Sequence, residues 1–288
     1  MELIVFGLIL MVMHCNLLNR LAVLLFIFCS LESKEFHFDF TLYPEEFSHS
    51  GFTPEYLQIG PDGSRYFLDT KTKTVCLIQG KNIKWVGGFG FGKDEFIDPV
   101  SMVYSNLKLF ILDQSQSRVA EFDFNLNFIW SYSLDTHYPD LIVFDPLNEF
   151  YVLSNSEQIL SKYNYNSQTL EPTIDLNKYP QIVGDIRNIF ISENEIVGLL
   201  TTSQDHVSFF NLSGRYIKSV RPALENSTWL FYIGNKWIIF NQSGSYSYLS
   251  SPENKIDLAI DNIHYMTENN GLLYALSFDG YYRLYHEE

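Results

Sequence analysis

Residues 87–123 read GGFGFGKDEFIDPVSMVYSNLKLFILDQSQSRVAEFD, a glycine-rich segment followed by short apolar runs that turn residues separate. The apolar runs begin at Val100, Leu109 and Val119, and FIWSY at residues 128–132 follows after the next turn. Each run has the length and the aliphatic or aromatic content that are typical of a β-strand. The stretch therefore predicts a unit of consecutive antiparallel strands joined by short turns.

The third strand of this unit recurs through the chain. Successive copies start about 36 to 47 residues apart, which is the spacing of a four-stranded propeller blade. The six copies are VCLIQ (Val75–Gln79), VAEFD (Val119–Asp123), LSKYN (Leu160–Asn164), VSFFN (Val207–Asn211), YSYLS (Tyr246–Ser250) and YRLYH (Tyr282–His286). A β-sandwich or a barrel would explain the alternation of apolar and polar residues but not this period. The sequence therefore predicts an all-β fold, a six-bladed β-propeller.

The two ends of the repeated region predict how the ring closes. The sixth copy ends at His286, close to the end of the chain, so the last blade lacks a fourth strand. Near the N-terminus, Glu35–Phe40 reads EFHFDF and alternates polar and aromatic residues at the period of a strand. We expect this N-terminal strand to complete the last blade, because that removes two open sheet edges. The propeller is predicted to span residues 34–288.

Residues 1–33 differ in composition from the rest of the chain and are predicted to be a signal peptide or a membrane anchor. The second of two apolar runs, Leu21–Phe28, follows an arginine and precedes small residues, which is the pattern of a signal peptide. Met1–Phe28 as a whole could serve as an uncleaved anchor, and Cys29 leaves lipid attachment open. Each alternative predicts an extracytoplasmic protein, whether periplasmic, on the cell surface or secreted.

Composition limits the partners. Hydrophobic residues make up 46% of the chain and aromatic residues 16%, enough for a large core and too much for a disordered chain. The formal net charge of −15 would repel nucleic-acid phosphates and anionic lipids. We therefore expect no nucleic-acid partner, and membrane contact only through the N-terminal segment if it is retained. The propeller itself is expected to be monomeric.

Residues 87–123 resemble an NHL repeat. The resemblance rests on the glycine-rich start, on Phe96-x-x-Pro99, and on Asp113 followed five residues later by Arg118 and then by an aliphatic residue. It implies a propeller blade in which Asp113 and Arg118 form an ion pair across a turn. The preceding blade keeps Asp69 but has threonine in place of the arginine. Because propellers host many functions, the resemblance supports the fold rather than an activity.

The sequence predicts no catalytic residue and no bound cofactor. Six-bladed relatives of NHL proteins include a zinc-dependent lyase that acts on glycine-extended peptides, so histidines are candidate ligands, but no HxH, HxxxH or G-x-S-x-G pattern occurs. The metal ligands therefore stay open; the histidines outside the N-terminal segment are His37, His49, His137, His206, His264 and His286. Four aspartates are expected where inner strands begin and would suit calcium as a hypothesis: Asp98, Asp140, Asp185 and Asp261.

A rigid ring without a catalytic set predicts a binding or assembly module for a protein or peptide partner. The longest interval between copies contains residues 166–184, which we interpret as an insertion that forms a binding loop. Tyr165 and Tyr179 flank or lie in it and are the predicted partner-binding residues, since tyrosine is favoured in contact patches. The alternatives are a lyase or hydrolase of the propeller type, and a carbohydrate-binding propeller that uses Trp130, Trp229 or Trp237.

Overall fold

A computed structural model describes residues 36–286, except residues 183, 203–205, 252–254, 259 and 261. The described chain forms six four-stranded antiparallel sheets, each built from strands in sequence order apart from the last. The prediction of an all-β, six-bladed propeller is confirmed. Residues 1–33, which are predicted to be a signal peptide or anchor, lie outside the described residues. No helix in the described part of the chain is long and apolar enough to cross a bilayer.

The strands are numbered in chain order. The first is β1 (Phe36–Leu42), and a short helix of about one and a half turns, α1 (Glu45–Ser50), follows it. Blade 1 contains β2 (Tyr56–Ile59), β3 (Arg65–Asp69), β4 (Thr74–Gln79) and β5 (Asn82–Gly87), and blade 2 contains β6 (Pro99–Ser105), β7 (Lys108–Asp113), β8 (Arg118–Asp123) and β9 (Phe128–Ser133). Blade 3 contains β10 (Leu141–Phe144), β11 (Phe150–Ser154), β12 (Ile159–Asn164) and β13 (Thr169–Asp175), and blade 4 contains β14 (Ile186–Ile191), β15 (Ile196–Thr201), β16 (Val207–Asn211) and β17 (Tyr216–Val220). Blade 5 contains β18 (Ser227–Ile233), β19 (Lys236–Asn241), β20 (Ser245–Tyr248) and β21 (Ile256–Asp257), and blade 6 contains β22 (Tyr265–Asn269), β23 (Leu272–Leu276), β24 (Gly280–His286) and β1.

Strand β1 completes blade 6, as the sequence predicts. The sheet order is β1-β24-β23-β22, so the N-terminal strand pairs with the last strand of the chain. The ring of Tyr282 on β24 lies 5.4 Å from that of Phe38 and 4.7 Å from that of Phe40, measured between centroids. On the other side of the sheet Arg283 pairs with Asp39 at 2.9 Å. Aromatic packing and main-chain pairing thus hold β1 and β24 together.

The core lies between neighbouring blades, because each sheet buries both faces of its two middle strands. Between blades 1 and 2, Leu68 and Val75 pack with Ile111 and Phe122. Between blades 6 and 1, Cys76 packs among apolar side chains and is fully buried. Burial raises the pKa of its thiol to about 12, so this cysteine is unreactive at neutral pH, as its place in an apolar strand indicates.

The interpretation of residues 166–184 as an insertion is wrong. Thr169–Asp175 forms β13, the fourth strand of blade 3, and pairs with β12. Pro172 stands opposite Ser161 after a register shift. A proline has no N–H group to donate. On the solvent side of an outermost strand no neighbouring strand accepts such a hydrogen bond, so Pro172 is compatible with this edge position. The long interval therefore consists of a regular strand and an ordinary connection.

Asp113 and Arg118 face each other at ion-pair distance, as the NHL resemblance implies, and both also make shorter contacts with the backbone. Its buried carboxylate accepts hydrogen bonds from the backbone N–H groups of Ile97 and Asp98, at 2.9 and 3.0 Å. The closest approach of the Arg118 guanidinium to this carboxylate is 4.0 Å. The guanidinium also donates to backbone carbonyl oxygens of Gly92 and Glu95. Both side chains therefore hold the connection that leads into β6, in addition to facing each other at ion-pair distance.

Candidate functional site

A central channel of about 760 Å³ runs through the ring and is lined by the inner strands of all six blades. On the side of blades 6, 1 and 2 its wall is a hydrogen-bonded network. Gln58 donates to the hydroxyl of Tyr265 at 3.2 Å and accepts from the backbone N–H of Tyr104 at 3.3 Å. Burial raises the pKa of Tyr56 to about 12. The hydrogen bonds of Gln58 join the inner strands of blades 6, 1 and 2 and stabilise this part of the wall.

His264 is the histidine that lines the channel within the described residues, and it lies just before inner strand β22. Its Nε2 atom is 3.0 Å from the carbonyl oxygen of Pro54, and its Nδ1 atom is buried. Burial lowers the pKa of the imidazole, and the nearby Glu55 carboxylate opposes this effect. His264 is therefore a neutral imidazole at neutral pH, a group that can accept a proton.

At the other end of the channel, two carboxylates lie near each other. Burial raises the pKa of Glu268, and the negative charge of Glu193 raises it further. Oε1 of Glu268 accepts a hydrogen bond from the backbone N–H of Gly271 at 2.6 Å, which opposes the shift. Within the described residues, no group of three or more His, Cys, Asp and Glu side chains converges to hold a metal ion.

Of the four aspartates that would suit calcium, Asp140 and Asp185 lie near enough for their charges to interact, whereas Asp98 has a lysine partner. Asp98 pairs with Lys73 at 3.3 Å. Burial raises the pKa of Asp140, and the charge of Asp185 adds to this, while the backbone N–H of Asn155 donates to the carboxylate and opposes the shift. Asp261 lies outside the described residues.

The glycine-rich connection between β5 and β6 forms a fixed loop. The backbone N–H of Gly88 donates to the carbonyl oxygen of Lys73 at 2.8 Å. The backbone N–H of Phe96 donates to the carbonyl oxygen of Gly88 at 2.9 Å. The side chain of Phe96 is fully buried between blades 1 and 2, which anchors the far end of the loop. Between these anchors, Phe89 and Phe91 point into solvent, 73% and 82% exposed.

Tyr138 lies on the neighbouring connection, between β9 and β10, and is 66% exposed. Both connections contact the hairpin between β7 and β8. Gln116 donates to the carbonyl oxygen of Gly90 at 3.4 Å, and Gln114 donates to that of Pro139 at 3.1 Å. Phe89, Phe91 and Tyr138 therefore lie on the same face of blade 2, and we name them the aromatic loop surface. Exposed aromatic side chains of this size are candidates for a contact surface.

The two predicted partner-binding tyrosines lie at opposite ends of β13. Tyr165 precedes this seven-residue strand and Tyr179 follows it, so about 20 Å of chain separates them. Tyr165 is 43% exposed, and its ring lies 5.7 Å from that of Tyr132 on β9. Tyr179 packs between Phe210 and Tyr216, and its hydroxyl donates to Gly214 at 3.3 Å. The structure thus does not bring the two side chains into one patch.

The tryptophans that would suit a carbohydrate site also lie apart. Trp229 is buried, and Trp237 packs against the rings of Phe209 and Tyr232. Trp130 is 55% exposed on β9. Phe89, Phe91 and Tyr138 are not among the partner-binding residues predicted from the sequence. One sequence feature could have indicated the two phenylalanines. They alternate with glycines in a segment that lies between the predicted strands of two blades.

The fold and the channel define the class of this protein, a six-bladed β-propeller. Neither a protein-family model nor a curated protein sequence matches the chain. Among solved structures, the chain is similar to virginiamycin B lyase from Staphylococcus aureus, with a TM-score of 0.60 and 12% identity over 79% of this chain and 78% of that one.

A streptogramin B lyase structure matches with a TM-score of 0.61 and 11% identity over 80% of this chain and 78% of that one. Hydrazine synthase from Kuenenia stuttgartiensis matches with a TM-score of 0.56 and 14% identity over 77% of this chain and 73% of that one. At these identities the likeness shows the propeller fold alone.

Proposed function

We propose that this chain is an extracytoplasmic binding or assembly module that recognises a protein or peptide partner through the aromatic loop surface. The observation that carries the proposal is the exposure of Phe89 and Phe91, at 73% and 82%, on a loop that is otherwise fixed. Side chains of this size are expensive to leave in water and are enriched at the centres of protein interfaces.

The rigidity of the loop supports a binding role. The backbone N–H of Gly92 donates to the carboxylate of Glu95 at 2.8 Å. The guanidinium of Arg118 donates to the backbone carbonyl oxygens of Gly92 and Glu95. Because the loop is already ordered, a partner would bind without the entropic cost of ordering it. A mobile loop would offer the same side chains at a lower affinity.

Export is part of the proposal and rests on the N-terminal sequence. The apolar run Leu21–Phe28 and the small residues after it follow the pattern of a cleaved signal. The mature protein is expected to begin between Leu31 and Glu35, and mass spectrometry of the native protein from the extracytoplasmic fraction measures this terminus. An intact Met1 on a soluble cytoplasmic product would contradict export.

The binding proposal is tested by affinity capture from the extracytoplasmic fraction of the native source. The bait is the wild-type propeller, a Phe89→Ser/Phe91→Ser variant, or a control variant with Leu107→Ser/Leu147→Ser. The control leucines lie in hairpins at the opposite end of the strands and are 58% and 71% exposed. We expect the phenylalanine variant to lose a partner that the wild type and the control retain. Equal capture by all three baits would refute the proposal.

A lyase or hydrolase is the second candidate, and His264 favours it. His264 lines the channel, and burial lowers the pKa of its imidazole, which is therefore neutral and able to accept a proton as a general base does. Virginiamycin B lyase and streptogramin B lyase, which share the fold, are lyases by name.

The lyase proposal is tested with quinupristin, which is present with a catalytically inactive variant of the Staphylococcus aureus enzyme. Mass spectrometry would detect a cleaved product from the wild type and none from His264→Ala. Absence of product from the wild type counts against this substrate class, and equal product from both proteins counts against His264.

A further inference from the structure

The outermost strand of each blade leaves one row of backbone groups without a neighbouring strand. Such edges pair readily with other extended chains, and proteins protect them with charges, prolines or very short strands. Five of the six outer strands have such protection: Asp39 in β1, Lys84 in β5, Pro172 in β13, Lys218 in β17, and a length of two residues in β21. Strand β9 in blade 2 reads FIWSYS and contains neither a charge nor a proline.

Strand β9 is hydrogen-bonded to its inner neighbour β8, and its outer edge faces solvent. Within the described residues it pairs with β8 alone, from Ser133 opposite Arg118 to Phe128 opposite Phe122. A bulge leaves Ile129 outside the register, and this side chain is 43% exposed. The neighbouring Trp130 is 55% exposed. The strand therefore offers both main-chain hydrogen-bonding groups and apolar side chains to solvent.

The carboxylate next to this strand is neutralised. Glu121 on β8 faces Trp130 across the pair, and its carboxylate binds the ammonium group of Lys108 at 2.5 Å. The hydroxyl of Tyr132 donates to the same carboxylate. In a chain with a net charge of −15, this edge thus presents a paired carboxylate rather than a free one. It complements an apolar, uncharged segment, whereas a strongly charged one would lose hydration without gaining an ion pair.

Two features border the open edge. Tyr165 of blade 3 stands against Tyr132 in an edge-to-face contact at 5.7 Å, and burial raises the pKa of its phenol to about 12. On the other side, the ammonium group of Lys93 lies 5.8 Å from the centre of the Phe128 ring. Lys93 belongs to the glycine-rich connection, and β9 leads directly to the connection that contains Tyr138. The edge is therefore continuous with the aromatic loop surface.

We propose that the partner presents an extended, uncharged, apolar segment that pairs with β9 as a fifth strand of blade 2. This inference rests on the proposed function and specifies the partner's chemistry. Main-chain pairing requires an extended segment, since a helix has already used its own N–H and C=O groups. Alternate side chains of that segment would lie against Trp130 and Tyr165, at the period of a strand.

The probe is a displayed library of random peptides of about ten residues, the length that matches a strand with short flanks. Peptides selected on the full propeller are expected to alternate apolar residues and to lack charges. N-methylation of alternate backbone nitrogens in a selected peptide blocks main-chain pairing on one side only. We expect one of the two N-methylated sets to weaken binding at least about tenfold and the other to leave it unchanged. Equal effects of both sets would overturn the proposal.

Matched variants separate this inference from the proposed function. Ile129→Lys places a charge on the open edge, whereas Ile217→Lys does the same on β17, where the isoleucine is 47% exposed against 43% for Ile129. We expect Ile129→Lys alone to abolish capture of the native partner, with both variants retaining the wild-type melting temperature. If Phe89→Ser/Phe91→Ser loses the partner but Ile129→Lys does not, the aromatic surface stands and the added strand is wrong. If neither loses it, the proposed function fails.

Discussion

Replacement of Asp113 by alanine measures how much a buried carboxylate contributes to one blade. The Asp113 side chain is fully buried at the end of β7. Its oxygens accept from the backbone N–H groups of Ile97, Asp98 and Gln116 at 2.9, 3.0 and 3.3 Å, and from the side-chain amide of Gln116 at 2.8 Å. Alanine would leave the two connection N–H groups without their acceptor.

The expected loss follows from these contacts. A hydrogen bond to a charged group contributes about 1.5–3 kcal/mol, and an unpaired buried donor costs about 1–3 kcal/mol. Because contacts to one carboxylate are not additive, we expect Asp113→Ala to lower the free energy of unfolding by about 3–5 kcal/mol. Guanidinium unfolding, followed by tryptophan fluorescence and circular dichroism, measures the loss.

Asp69 in blade 1 provides the matched control. It is equally buried and accepts from the backbone N–H groups of Thr53, Lys71 and Thr72, at 2.9, 2.8 and 3.1 Å. Its blade has Thr74 where blade 2 has Arg118. If acceptance of backbone N–H groups is what matters, Asp69→Ala should be as destabilising as Asp113→Ala. A loss below about 1 kcal/mol for Asp69→Ala beside a large loss for Asp113→Ala would show that the arginine matters instead.

Three further predictions concern closure, the loop and pH. Deletion of Phe36–Leu42 should lower the free energy of unfolding by more than about 3 kcal/mol and cause aggregation, because β24 loses its outer neighbour; an unchanged melting temperature and a monomeric profile on gel filtration would contradict it. Gly90→Ala should lower the free energy of unfolding, measured by thermal denaturation, by about 1–2 kcal/mol. The new Cβ would lie 1.9 Å from Oε2 of Glu95 and would displace this acceptor from the backbone N–H of Gly92. An unchanged free energy of unfolding would show that the loop adapts freely. The pKa of Glu268 is raised in the folded protein, so the stability that this group contributes is present below its unfolded value of 4.5 and lost as pH rises through the folded pKa. Glu268→Gln should therefore stabilise the protein in urea at pH 7 and not at pH 4, and the opposite order of the two pH values would refute the assignment.

The fold was predictable because its determinants are local and repeat. Leu141–Phe144 and Ile186–Ile191 stand out as apolar runs between turns, and the structure forms β10 and β14 over these same residues. The spare strand at the N-terminus and the missing strand at the C-terminus predict closure by counting alone. Strand β13 was missed because Pro172 and its polar neighbours are typical of a loop in sequence. An outer strand tolerates them, since half of its main-chain groups face water.

The candidate site was not predictable to the same extent. Tyr165 and Tyr179 look alike in sequence, yet Tyr179 packs into blade 4 while Tyr165 stays half-exposed beside β9. Phe89 and Phe91 lie in a connection where the sequence alone does not distinguish a buried ring from an exposed one, and Phe96, in the same connection, is buried.

Sequence alone therefore determines the period, the number of blades and the pairing of the two chain ends, because strand alternation and turn residues act over a few positions. Only the tertiary structure decides which side chains remain in solvent and which carboxylates accept backbone N–H groups. Those outcomes depend on the neighbouring blade, which lies about 40 residues away in the chain. Residues that determine a strand can thus be identified one blade at a time, whereas a binding surface exists only after adjacent blades have packed.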